Sequence, residues 1–307
     1  MLNYRPKMFD ESSDTNTSKE LFLIICSFVV VFMLIRGLNA IAPAIALSRL
    51  IKQEEEISSN DPRVKIPYLF GTVLGIIVAI IYCRFLEHRP VRSMGVKRKG
   101  FLVHYLSGTL AGAALMSSTI LMTKLTGTGT VKLCGNVNYK LIVLYLLGFC
   151  VQGMSEEFVF RGYFMNSIGG AGHHTAIAVG VSAAAFGISH GENYGFGLLP
   201  LLNIALFGVL ASLCMILFEN IWGISAIHSI WNFTQGNVYG ISVSGTGETE
   251  SILRTTVTSD KTYLTGGKFG MEGSIFTTIA LGTAALIVFL LILGKAASAK
   301  KTPEAAE

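Results

Sequence analysis

Charge is what this sequence lacks most: Asp, Glu, Lys and Arg make up only 14% of its 307 residues, where about a quarter is usual for a soluble domain. With 51% apolar residues and a mean hydropathy of +0.57, there is too little polar side chain to clothe a water-soluble globule. Cysteine is scarce as well. Of Cys26, Cys83, Cys134, Cys150 and Cys214, four fall in apolar runs and none forms a CxxC pair, which argues against a disulfide framework and a thiolate metal site. A cleavable leader is also missing from the expectation, because the first apolar run, 21–47, is broken only by Arg36 and is too long for a signal-peptide core.

What is present is apolar sequence at membrane length. Residues 66–83, 101–123, 194–218 and 274–294 contain no Asp, Glu, Lys or Arg, and each meets the roughly 18-residue requirement for a spanning helix. The expected fold is all-α, a polytopic transmembrane helical bundle of about eight spans, near 21–47, 66–84, 101–123, 141–168, 174–191, 197–218, 222–243 and 274–294. Four parts follow: an N-terminal part, 1–140, with three spans; a core, 141–243; a polar insertion, 244–273; and 274–307, a last span with a charged tail. The insertion is rich in Ser, Thr and Gly and long for a connection between spans, so flap, hairpin and disorder all stay open for it. The tail, 295–307, is expected to fray.

The net charge of +5 gathers between the apolar runs, at Arg84, Arg89, Arg92, Lys97, Arg98 and Lys99. Such a cluster marks a cytoplasmic loop beside anionic lipid and is a poor match to a nucleic-acid surface. It places both termini on the cytoplasmic side, at the plasma membrane if the source is a prokaryote. Partners are therefore the bilayer and something carried in it, with no nucleic acid.

Ionisable residues inside a span cost several kcal/mol and face a protein interior or a wet cavity, so they direct the search for function. Here they cluster. Glu156, Glu157 and Arg161 interrupt the fourth span, His190 ends the fifth, and His228 with Asn232 lies in the seventh. Glu157 and Arg161 are four apart on one helix face and pair as carboxylate and guanidinium, while Glu156 lies about 100° away and is left free. By the same spacing His228 and Asn232 share a face, and Phe186 stacks one turn before His190.

Convergence of these sets on one polar chamber within the membrane is supported by a hairpin at Gly169-Gly170-Ala171-Gly172, which returns Glu156 and His190 to similar depth. His228 is harder to place. It stands near the start of its span, at the end opposite His190 in a simple zigzag, so a helix must break or tilt, and residues 190–197 suggest where. Irregular backbone is permitted at membrane depth if it lines a cavity.

One free carboxylate, two histidines and an asparagine, with no matching serine or cysteine nucleophile, fit amide hydrolysis by activated water. A carboxylate and an imidazole share proton abstraction, while an imidazole and a carboxamide donate to the developing oxyanion. Zinc hydrolysis uses nearly the same set, with Glu156, His190 and His228 as ligands and an open position for water.

These residues resemble those of a known family, the CAAX protease and bacteriocin-processing (CPBP, or Abi) intramembrane endopeptidases. Its EExxxR motif is matched by Glu156-Glu157-Phe158-Val159-Phe160-Arg161, its FxxxH by Phe186 to His190, and its HxxxN by His228 to Asn232. Each pattern is weak singly; the ordered set on apolar helices is specific. The resemblance implies an endopeptidase similar to the type II CAAX prenyl endopeptidases, acting on membrane-embedded or lipidated substrates. It implies Glu156 and His190 as water activators, His228 and Asn232 as oxyanion donors, and Glu157, Arg161 and Phe186 as orienting groups. No cofactor is favoured, with zinc as the alternative.

Other readings compete. A non-proteolytic relative working as a bacteriocin-immunity or scaffold protein would not need every catalytic group. A proton-coupled carrier would use buried Glu and His equally well, but repeated halves are not evident. His104 is expected to pack, His173 and His174 to be solvated at a turn, and Arg36 to snorkel, line a cavity or mark a break.

Overall fold

A backbone in lipid has no water to bond, so its amides must pair internally, and the apolar runs accordingly coil into helices. The computed structural model describes residues 5–13, 18–50, 58 and 60–301. In chain order the helices are α1 (Lys7–Asp10), α2 (Leu21–Asn39), α3 (Ile41–Leu50), α4 (Pro62–Gly71), α5 (Val73–Ile81), which runs into a π-helical turn Tyr82–Leu86, and α6 (Phe101–Leu125). After strand β1 (Gly129–Leu133) come α7 (Tyr139–Glu157), a π-helical stretch Phe158–Met165, α8 (Asn166–Gly170), α9 (Thr175–Ile188), α10 (Leu198–Phe218) and α11 (Ile221–Phe233), which ends in a π-turn Thr234–Val238. Strand β2 (Leu253–Val257), α12 (Thr262–Thr265) and α13 (Ile275–Lys301) complete the chain.

Local chemistry sets several helix starts. Asp61, Asn138, His174 and Asn220 each accept a hydrogen bond from a first-turn amide of the helix that follows, satisfying donors that have no partner within the helix.

Six helical stretches among the described residues are long and apolar enough to cross a membrane: Leu21–Leu50, Pro62–Leu86, Phe101–Leu125, Tyr139–Gly170, Leu198–Phe218 and Ile275–Ser298. The other two expected spans are helical but shorter, Thr175–Ile188 and Ile221–Phe233. Large apolar side chains stay exposed in stripes, such as Leu102, Val103, Leu106 and Leu110 on α6 and Leu286, Ile287, Leu290 and Leu291 on α13; these are the faces that lipid covers. The protein is an integral membrane helical bundle.

The short helix α11 is its axis, nearly every residue buried, packed at once on α6 and α7. Glycine permits the approach. A Cβ on Gly153 of α7 would meet Ser229 Oγ at 2.6 Å and its backbone N at 2.7 Å.

The depth difficulty at His228 resolves through where α11 begins. Ile221 N donates to Gly95 O at 3.0 Å, and the Ile221 side chain lies against Gly162, so α11 starts level with the π-helical stretch rather than with the turn after α8. From that level His228 is seven residues along α11 and Glu157 five residues back along α7, rises of about 10 Å and about 8 Å. The chain is indeed non-helical across 189–197.

The polar insertion is ordered. Its strand β2 pairs antiparallel with β1, from Gly129 opposite Val257 to Leu133 opposite Leu253, forming the two-stranded ribbon of the bundle. Of the tail, α13 continues to Lys301; 302–307 lie outside the described residues, as do 1–4, 14–17, 51–57 and 59.

Candidate active site

Helices α2, α4, α7 and α11, joined by residues of α9, α10 and α13, turn toward a cavity with about 1160 Å³ of empty volume out to its mouth. On α2 the face is Phe32, Ile35, Arg36 and Asn39; on α4 it is Lys65, Tyr68, Leu69 and Thr72; α7 contributes Phe149, Gln152, Ser155 and Glu156, and α11 His228, Trp231 and Asn232. The recurrence at three and four residues is the helical period. Ser155 Oγ donates to Thr72 O at 2.6 Å and sets α4 and α7 in register.

The sequence-predicted residues meet here. Glu157 Oε1 accepts from Arg161 Nη1 at 3.1 Å and from His228 Nδ1 at 2.8 Å. An ionised carboxylate only accepts, so the hydrogen on that ring edge belongs to Nδ1. This leaves Nε2 aimed at Glu156, whose Oε2 lies 3.5 Å away. Glu156 Oε1 accepts from Gln152 Nε2 at 2.6 Å, and its Oε2 has no hydrogen-bond partner among the described residues. Glu157 and Arg161 are fully buried, while a quarter of Glu156 is exposed. Glu157 is thus more than the partner of Arg161: it also holds His228, a contact that spacing within one helix does not reveal.

Asn232 Nδ2 donates to Gln152 Oε1 at 2.9 Å, so one glutamine ties the carboxamide of α11 to the carboxylate of α7. Phe186 lies at the centre of the aromatic wall. Its ring is 4.9 Å from that of His190 and 5.8 Å from that of His228, and the Arg161 guanidinium stands over its face at 4.5 Å. His190 lines the same cavity, just past the end of α9, with Nδ1 against Phe186 O at 2.9 Å and Ser189 Oγ at 3.2 Å. Among the described residues it has no hydrogen bond to Glu156. Nor are any three His, Cys, Asp or Glu side chains grouped closely enough to hold a metal ion, Glu156, His190 and His228 included.

The remaining polar residues are placed as follows. Arg36 lines the cavity and pairs with Glu192 of the segment after His190. His104 packs its ring on Phe218. His173 Nε2 bonds Lys19 O and His174 caps α9.

Sequence reasoning missed Gln152, which escapes a search confined to ionisable groups although its i, i+4 relation to Glu156 was readable. Glu272 was missed because it falls in the polar insertion. It is buried and lines the cavity, its Oε2 accepting from Ser244 N and Oγ and from Gln235 Nε2, and its Oε1 from Trp231 Nε1. That carboxylate anchors the insertion to the helix that carries His228 and Asn232. The π-helical stretch directly after Glu157 was also unforeseen; such stretches often occur at functional sites.

Comparison with curated proteins and with solved structures returns no match. Residues 138–234 match the family model described as type II CAAX prenyl endopeptidase Rce1-like. All three motifs lie inside that segment, so the part of the chain that carries them is what resembles that family.

Proposed function

We propose that the protein is an intramembrane endopeptidase that hydrolyses a peptide bond of a membrane-embedded or lipidated substrate, with Glu156 and His190 activating water and His228 and Asn232 receiving the oxyanion. The observation that carries this is the Glu156 carboxylate, one oxygen held by Gln152 and the other without a hydrogen bond among the described residues, 3.5 Å from the His228 imidazole at the wall of the cavity.

The roles follow from donor chemistry. Water gives its proton to Glu156 Oε2 as its oxygen attacks the carbonyl carbon, and that proton passes to the departing amine. Charge then gathers on the carbonyl oxygen. Protonated His228 offers Nε2–H to it, because the Nδ1–H is already committed to Glu157. Asn232 has a second amide hydrogen beyond the one given to Gln152. Each such donor is worth roughly 10²–10³ in rate. His190, steered by the Phe186 carbonyl, has Nε2 free to share the proton transfer.

The test compares wild type with Glu156→Gln in detergent-solubilised protein on a panel of lipidated and membrane-anchored peptides, with and without chelator. Cleavage by wild type that survives chelator and is lost in a folded Glu156→Gln variant supports the reading. Loss to chelator with recovery on added Zn²⁺ moves Glu156, His190 and His228 to ligand roles. Equal cleavage by the variant, or none by wild type across the panel, overturns the reading in favour of a binding or immunity protein.

A further inference from the structure

One carboxylate on the cavity wall takes no part in the chemistry proposed above. Glu272, from the polar insertion, is only 4% exposed and lines the cavity. Among the described residues no Lys, Arg or His pairs with it; uncharged donors hold it instead. Oε1 accepts from Trp231 Nε1 at 3.3 Å, and Oε2 accepts from Gln235 Nε2 at 3.2 Å and from both the backbone N and the Oγ of Ser244. The backbone oxygen of Glu272 accepts from Asn203 Nδ2 at 2.8 Å, so α10 fixes the base from which the side chain reaches.

The two donors on the α11 side straddle a weak point. Helix α11 ends at Phe233 and passes into the π-turn Thr234–Val238, so Asn232 sits in its last turn. Trp231 precedes Asn232 by one residue and Gln235 follows the junction, and Glu272 ties the two together. His228 needs no such help, because the buried Glu157 holds its Nδ1. Asn232 has only Gln152, an uncharged side chain shared with Glu156. Its aim therefore depends on how its own stretch of helix is held.

The place suits a carboxylate and nothing of the same shape. A carboxamide has one accepting oxygen and one donating nitrogen, so it would turn a donor toward the indole N–H or toward Ser244. Ser244, itself on the cavity wall, has φ +47°, in the left-handed region that residues other than glycine rarely adopt. Such a conformation persists only where its surroundings impose it, and it concentrates at functional sites. Here Glu272 imposes it by engaging the amide and the hydroxyl of Ser244 together.

We propose that Glu272 is a positioning residue for the hydrolytic reaction, holding the end of α11 through Trp231 so that Asn232 meets the developing oxyanion. This rests on the endopeptidase reading and adds the polar insertion to the machinery of that site. An oxyanion exists only after attack, so misaligning its donor slows turnover and leaves substrate binding as it was.

The experiment measures kcat and KM in nanodiscs for the peptide that wild type cleaves fastest in the panel described above, and follows the thermal unfolding of each variant. Glu272→Gln is compared with Trp231→Phe, which removes the indole donor and keeps a ring, each alone and combined with Asn232→Ala. We expect each single variant to lower kcat about tenfold or more, with KM within about twofold of wild type. In the Asn232→Ala background the same changes should cost less than about twofold, since the donor that they aim is already gone. If Glu272→Gln does not fold, Trp231→Phe carries the test, because it leaves the carboxylate in place to hold Ser244 and Gln235.

Unchanged kcat in the folded variants overturns the proposal. So does a loss that multiplies in full with that of Asn232→Ala, which is what a general loosening of the protein would produce. A rise in KM at constant kcat makes Glu272 a substrate contact and overturns it as well. In each of these cases wild type still cleaves, and the endopeptidase reading stands. Failure of that reading is seen in wild type itself, which then cleaves no peptide of the panel, and the role of Glu272 falls with it.

Discussion

Among the described residues two arginine–glutamate pairs are buried, and they differ in how fully they are held. Arg89 is fully buried and held on every side: Nε is at ion-pair distance, 2.9 Å, from Glu87 Oε2, Nη1 donates to Ser12 Oγ, and Nη2 reaches Cys83 Sγ and the carbonyls of Gly162 and Tyr163. Glu87 in turn accepts from Ser167 Oγ at 3.0 Å. Arg161 is equally buried but makes one hydrogen bond, to Glu157, and leaves Nε and Nη2 without partners among the described residues. Glu157 Oε2 and Glu156 Oε2 likewise accept no hydrogen bond among the described residues.

Both arginines act on the same π-helical stretch, Arg89 gripping its carbonyls from outside and Arg161 standing within it. The Arg89 pair spends its contacts on holding, with both terminal nitrogens engaged. The undersatisfied one carries a histidine and borders a cavity. A buried polar group left short of partners in a native fold asks for an explanation, and the proposed function supplies one.

The comparison can be broken from either side. The largest effect should come from Glu156→Gln, which keeps shape but cannot take a proton: cleavage should fall roughly 10²–10⁴-fold with the thermal unfolding midpoint unmoved, and a variant that stays active would remove Glu156 from the mechanism. Arg89→Met should do the converse. It leaves Glu87 buried without its cation, a loss of about 3–5 kcal/mol visible in thermal unfolding. Adding Glu87→Leu should recover much of it, as expected of a structural pair; a fall in kcat at unchanged stability would instead join Arg89 to the site.

A smaller effect is expected at Gln152→Leu. Glu156 and Asn232 lose the side chain that positions both, so kcat should drop roughly tenfold to a hundredfold with little change in KM, as misplacement by about 1 Å does elsewhere. Equal loss in KM would make Gln152 a substrate contact instead.

The smallest concerns Asp61, which caps α4 at the Lys65 end. Its hydrogen bonds from the Arg63 side chain and backbone hold its carboxyl below the usual carboxylate range. A carboxyl lowered in the folded state stabilises above its unfolded titration and loses that contribution as pH falls through its own. Asp61→Ala should therefore cost about 1 kcal/mol near neutrality, with the gap to wild type closing below about pH 4. A gap that persists in acid would contradict the cap.

Much of this was readable beforehand, and the residues show why. The pairing of Glu157 with Arg161 and the shared face of His228 and Asn232 are relations within one helix, where four residues always bring side chains together. The break after His190 was readable from its glycines. The ordered insertion was not, because β1 and β2 are more than a hundred residues apart and each is too short to announce itself. Span count was readable in kind: α9 and α11 are apolar and helical, but composition does not say that α11 is held inside the protein, where a helix need not cross the whole bilayer.

By itself the sequence determined that the chain lives in a membrane as helices, and which polar residues had to be hidden from lipid, because hydrophobicity and the helical period are local properties. Only the tertiary structure decided which of those residues meet. Glu157 and His228 are 71 residues apart and Gln152 and Asn232 are 80 apart, and such pairs depend on helix depth and approach, set here by Gly153 against Ser229 and by Ile221 beside Gly95. Lys65 shows the same division: its charge was in the sequence, but only packing made it a buried cation on the cavity wall.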